Sequence, residues 1–135
     1  MFIQAVVDKL LADSTLTALL STYKTKAAIF AVDPAPEGAD FPYIIVGPLV
    51  DNAPMDTKNS LGRTVRIDMR CYADNNGNSA TIETISERVR TVLHRNSITI
   101  SGHTWVSTDC FGPISADETG AYGRIVTAVV MAEKS

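Results

Sequence analysis

Residues 62–72, GRTVRIDMRCY, alternate in polarity: Val65, Ile67, Met69 and Cys71 fall on one side of an extended chain, and Thr64, Arg66, Asp68 and Arg70 on the other. Side chains repeat with period two along a strand, so this stretch predicts a long strand with one buried face. Ile3, Val6, Val7, Leu10 and Leu11 recur instead at helical spacing and predict an amphipathic helix over Phe2–Ala12. Its stripe either packs on the domain's own sheet or meets a partner, and packing is the simpler expectation. Asp13-Ser14-Thr15 supplies helix-capping residues ahead of a second short helical piece carrying Leu16, Leu19 and Leu20.

Ala27–Val32 (AAIFAV) predicts a short strand. Asp33–Pro42 holds three prolines and a glycine, a loop unable to enter a sheet interior. Tyr43–Val46 predicts another strand, with Gly47-Pro48 expected to limit its pairing. Val50–Leu61 (VDNAPMDTKNSL) then predicts a long polar excursion, a segment type that more often binds than folds. After a turn at Ala73–Asn78, Ile82, Ile85, Val89, Val92 and Leu93 define the clearest helix, capped by Asn78 or Ser79. Glu83 and Glu87 lie toward its start and Arg88, Arg90 and Arg95 toward its end, as the helix dipole favours. Ser97–Ile100 and Thr104–Val106 flank Ser101-Gly102-His103 and predict a hairpin, with Ser107–Ile114 continuing its second arm up to a break near Gly112-Pro113. Tyr122–Met131 is nearly continuously apolar, which predicts a central strand. The expected fold is one α+β domain over residues 1–135, with two main helices packed on one face of a mostly antiparallel β-sheet.

Composition changes this picture little: 135 residues, 45% hydrophobic and 20% charged, are ordinary for one globular domain. The net charge of −3 argues against general nucleic-acid binding. The apolar N-terminus is interrupted by Gln4, Asp8 and Lys9 and is far shorter than a membrane span, so no membrane association is expected. Cys71 and Cys110 lack CxxC spacing, and reduced thiols in the cytoplasm are expected.

Catalytic chemistry finds no foothold. The chain has no GxSxG, P-loop or dinucleotide fingerprint, and no base can be named beside either cysteine. Gly120-Ala121-Tyr122-Gly123 suggests a turn or bulge. His94 and His103 lack partners at metal-ligand spacing, and Asp51, Asn52 and Asp56 lack the glycine and terminal glutamate of a calcium loop. Trp105 and Tyr72 alone make no base-stacking platform. The mixed-charge face of Arg66, Asp68 and Arg70 is either solvated or a polar subunit interface. No catalytic residue, cofactor or metal is expected.

The layout resembles a known family. The pieces are the N-terminal helix with its follow-on Asp13-Ser14-Thr15-Leu16-Thr17-Ala18-Leu19-Leu20, the proline-rich loop running into Phe41-Pro42-Tyr43-Ile44-Ile45-Val46-Gly47, the strand Val65–Tyr72, the helix ending Val89-Arg90-Thr91-Val92-Leu93, and a β-rich C-terminus. Together they are similar to the tail-completion, or tail-terminator, proteins of long-tailed bacteriophages and prophages. The resemblance implies a structural subunit, not an enzyme, that forms a hexameric ring on the head-proximal end of the tail tube. There it would stop polymerisation and mediate head–tail joining, in the virion after assembly in the host cytoplasm. Its partners would be copies of itself, the tail-tube protein and head or neck connector proteins, with no sequence-specific nucleic acid. Asp51, Met55, Asp56 and Lys58 in the excursion, with Arg66, Asp68 and Arg70, are the candidate contacts. A head–tail connector or other neck component is the nearest alternative, and a small ligand-binding domain or enzyme the more distant one.

Overall fold

The computed structural model describes residues 2–31, 36–54, 61–74, 80–117 and 121–134, and for residues 48–52 the backbone alone. Helices α1 (Phe2–Leu11) and α2 (Ser14–Thr17) come first, and α3 (Ala80–Leu93) follows in mid-chain. The strands are β1 (Thr22–Tyr23), β2 (Lys26–Ala27), β3 (Ile29–Phe30), β4 (Tyr43–Pro54), β5 (Gly62–Asp74), β6 (His103–Ser115) and β7 (Ala121–Lys134). β1 and β2 form a small antiparallel pair, and the other five make one sheet in the order β3-β4-β5-β7-β6. Among the described residues only the short β3–β4 pairing is parallel. β7 therefore runs through the sheet interior, as its continuous apolarity requires.

The alternation of β5 is realised residue by residue. Val65, Ile67, Met69 and Cys71 are fully buried, whereas Arg66 is exposed and Asp68 and Arg70 are half-buried. The buried set joins Val46 of β4, Val126, Ala128 and Val130 of β7, and the apolar stripes of α1 and α3 in one core. Phe2, Ala5, Val6, Val7 and Leu10 of α1 are all buried, so the first helix spends its stripe on its own domain. Ile67 and Val89 lie in this core with no solvent exposure. A smaller cluster of Ile45, Tyr72 and Ala121, with Phe41 and Tyr43 against it, sits at alternate positions to the main core. Tyr43 faces Tyr72 across the β4–β5 pair, with ring centroids 5.5 Å apart.

Two expectations need correction. Gly47-Pro48 does not end β4: the pairing shifts register between Val46 and Asp51 and then runs on to Pro54 opposite Arg63. Gly47 adopts φ +117 beside Ile3 of α1, and Pro48 falls within the shift, where the ladder asks no N–H of it. Likewise, Ser97–Ile100 forms no strand. It follows α3 as an irregular segment whose Ile98 and Ile100 enter the core. The cap expected at Asn78 or Ser79, the end of the Ala27–Val32 run, Gly120 and residues 55–60 of the Val50–Leu61 excursion lie outside the described residues, while residues 50–54 of that excursion belong to β4 instead of a loop.

Candidate assembly surfaces

The end of the α1–α2 unit is fixed by a carboxylate. Asp13 caps α2, its Oδ2 accepting from the Leu16 backbone N–H at 2.9 Å. The same carboxylate takes two hydrogen bonds from Arg88 of α3, Nε to Oδ2 at 2.9 Å and Nη2 to Oδ1 at 2.8 Å. The Arg88 guanidinium holds the Asp13 carboxyl below the usual range, against the opposing effect of burial. This two-point bridge fastens α2 to α3 and gives Arg88 a partner beyond the helix dipole.

On the sheet, the three candidate contacts of β5 separate. Arg66 is exposed and stands in register between Asp51 of β4 and Val129 of β7. Asp68 is engaged within the domain, accepting a hydrogen bond from Thr127 Oγ1 at 2.7 Å across the β5–β7 pair. Arg70 is half-buried beside Ile45 and Ile125 in register. The backbone of Asp51 belongs to β4, while Met55, Asp56 and Lys58 lie outside the described residues.

Strand β6 carries a surface that the sequence reading did not single out. Phe111 and Ile114 are 57% and 62% exposed, and Val106 is also exposed. Residues three apart on a regular strand face opposite ways. Here the register shifts between Phe111 and Ile114, so they pair with Thr127 and Ile125, which are two apart on β7 and share a face. The extra residue therefore brings both apolar side chains to the face of Arg66 and Asp68. Gly112 makes this turn at φ +94, and a Cβ there would lie 2.7 Å from the Ile125 carbonyl oxygen, so only glycine fits. The available signal was an apolar residue on each side of the Gly112-Pro113 break.

The reactive side chains are committed to packing. Cys71 and Cys110 are free and buried, and burial pushes both thiols up to about 12. At Cys110, Arg90 opposes that rise and Asp109 adds to it. His94 Nδ1 accepts the Cys110 backbone N–H at 3.0 Å. His103 sits edge-on to Phe2, with centroids 5.2 Å apart. Among the described residues, no group of three or more His, Cys, Asp or Glu is placed to hold a metal ion. No described helix is long and apolar enough to cross a membrane.

What the fold and these surfaces define is a small α+β domain whose exposed character lies in a mixed-charge strand face and an apolar edge strand. Comparison with known proteins gives that class a family. A model of the tail completion protein gp17 family matches residues 4–113, and the chain belongs to this family. Membership supports a structural role in tail and virion assembly. The chain also resembles a solved chain from the "Virion of native gene transfer agent (GTA) particle", with a TM-score of 0.77 and 21% sequence identity. That match covers 97% of this chain and 93% of the other, which establishes a shared fold. No curated protein matches.

Proposed function

We propose that this chain is the repeating subunit of a hexameric ring that caps the head-proximal end of a phage tail tube, stops its polymerisation and mediates head–tail joining. The observation carrying this reading is the family match across residues 4–113. Head-to-tail contacts that close into a ring leave no free end, so such a ring can cap an open-ended stack. The role requires binding without bond making or breaking, and the protein acts as a structural component rather than an enzyme. It assembles in the host cytoplasm and ends in the virion, without membrane or sequence-specific nucleic-acid contacts.

In this reading residues 1–135 form one domain with α1 and α3 on the same face of the sheet, which their shared core cluster supports. The opposite face is then left for assembly. Arg66, Asp68 and Arg70 with Phe111 and Ile114 meet a neighbouring subunit, in an interface that has an apolar centre and a polar margin. Asp51, Met55, Asp56 and Lys58, on and beyond the end of β4, meet the tail-tube protein or the connector.

The test is complementation of a phage lacking this gene, scored by plaque count and electron microscopy of the particles. The intact chain restores tails of uniform length joined to heads. A chain with residues 55–60 replaced by a glycine-serine turn keeps its fold, because loop closure changes by only about 1 kcal/mol, but gives few joined particles. A chain carrying Phe111→Ser and Ile114→Ser melts near the parent and forms no rings by negative stain. Normal titre from both altered chains would remove these surfaces from assembly. Normal tails without any copy of the protein would overturn the function itself.

A further inference from the structure

β6 is an edge strand, yet part of its outer edge is occupied by the chain that follows α3. The Arg95 backbone N–H donates to the Thr108 carbonyl at 2.7 Å, and the Cys110 backbone N–H donates to His94 Nδ1 at 3.0 Å. Residues 94–100 thus form a strap along β6, held outside by these two bonds and inside by buried Ile98 and Ile100. A backbone N–H is always a donor, so Nδ1 must carry no proton, and a neutral ring then carries its proton on Nε2.

We propose that His94 is a pH-sensitive latch that closes the strap over the β6 edge when its imidazole is neutral and releases it on protonation. An imidazolium presents N–H at both nitrogens, so the Cys110 N–H would face a second donor and lose its acceptor. Charged residues on the neighbouring elements are Arg90 in the last turn of α3, Arg95 in the strap itself, Asp109 on β6, and Lys9, Asp13 and Arg88, which line a recess with Asn96. Opposite Cys110, β7 places Ala128 between Thr127 and Val129 and contributes no charge. Release uncovers the Thr108 carbonyl and the Cys110 N–H, two strand-pairing positions that the closed strap denies to a passing chain. The latch is independent of the ring reading.

The experiment measures amide protection of Cys110 in the folded protein by NMR between about pH 5 and 8, the range in which imidazoles change charge. Protection, corrected for intrinsic exchange, falls about three- to tenfold toward the acid end, as loss of one hydrogen bond requires. His94→Asn places a non-titrating acceptor at the position of Nδ1 and holds that protection constant. Protection in the parent that ignores pH, or an equal fall in His94→Asn, overturns the latch. Should His94→Asn fail to fold, the parent decides alone. The His94 ring nitrogens and the Cys110 amide proton then titrate with a common midpoint, and a Cys110 amide shift that does not follow His94 refutes it.

Discussion

Adjacent residues of β5 offer a direct test of the sheet's two faces. Ile67 is fully buried, paired with Leu49 on one side and Ala128 on the other, inside a core that includes residues of α1 and α3. Its neighbour Arg66 is exposed. Ile67→Ala removes three carbon atoms from a site enclosed by sheet and helices, where collapse is restricted, and should cost about 3 kcal/mol. For 135 residues the unfolding entropy near the midpoint is about 0.28 kcal/mol per kelvin, so Tm should fall by roughly 10 °C. Arg66→Ala empties nothing and should stay within about 0.5 kcal/mol, or roughly 2 °C. Calorimetry on both variants at one pH, with urea titrations to verify an unchanged slope, gives the comparison. An Ile67→Ala protein melting within about two degrees of the parent would refute the placement of the core. So would an Arg66→Ala protein that loses as much as Ile67→Ala.

Asp13→Ala should destabilise by about 1 kcal/mol at pH 7 through loss of the α2 cap. Because the folded-state pKa of Asp13 is lowered, its contribution is present above the unfolded value near 3.8 and is lost as pH falls through the folded one. The gap between parent and variant should therefore close on acidification, and a gap that persists well below pH 3.8 would contradict the bridge. Cys71 and Cys110 should resist a thiol reagent in the native protein and both react once it is unfolded, since burial holds each near 12. Rapid labelling of either in the folded protein would show that its burial is transient.

The central elements were legible because their patterns repeat. The alternation at Val65–Cys71 named the core side of β5 without exception, and Ile82, Ile85, Val89, Val92 and Leu93 named the buried stripe of α3. What escaped were features in which one residue changes the phase. β4 continues past Gly47-Pro48 because a glycine at positive φ absorbs the shift, whereas sequence rules see only a sheet breaker. Phe111 and Ile114 read as ordinary strand residues until the bulge puts both on the open face. Ser97–Ile100 has strand-like apolar spacing, but its Ile98 and Ile100 are spent on the core and the segment forms no strand. Of the candidate contacts, Arg66 proved exposed, and Asp68 turned out to be held by Thr127, a cross-strand partner that local pattern cannot supply. The family itself was legible from the layout.

The Asp13–Arg88 bridge has a consequence for the order in which the protein takes shape. Its two ends are 75 residues apart in the chain. At about 5–20 residues per second, a ribosome needs roughly 4–15 s to pass from one to the other. Until α3 is made, the α1 stripe carrying Val6 and Leu10 lacks part of its cover. β3 and β4, which it also touches, arrive sooner, and β4 gains its long pairing partner when β5 is made, while the other edge of β5 stays open until β7. The first helix synthesised therefore cannot complete its packing until α3, which it also touches, has been made.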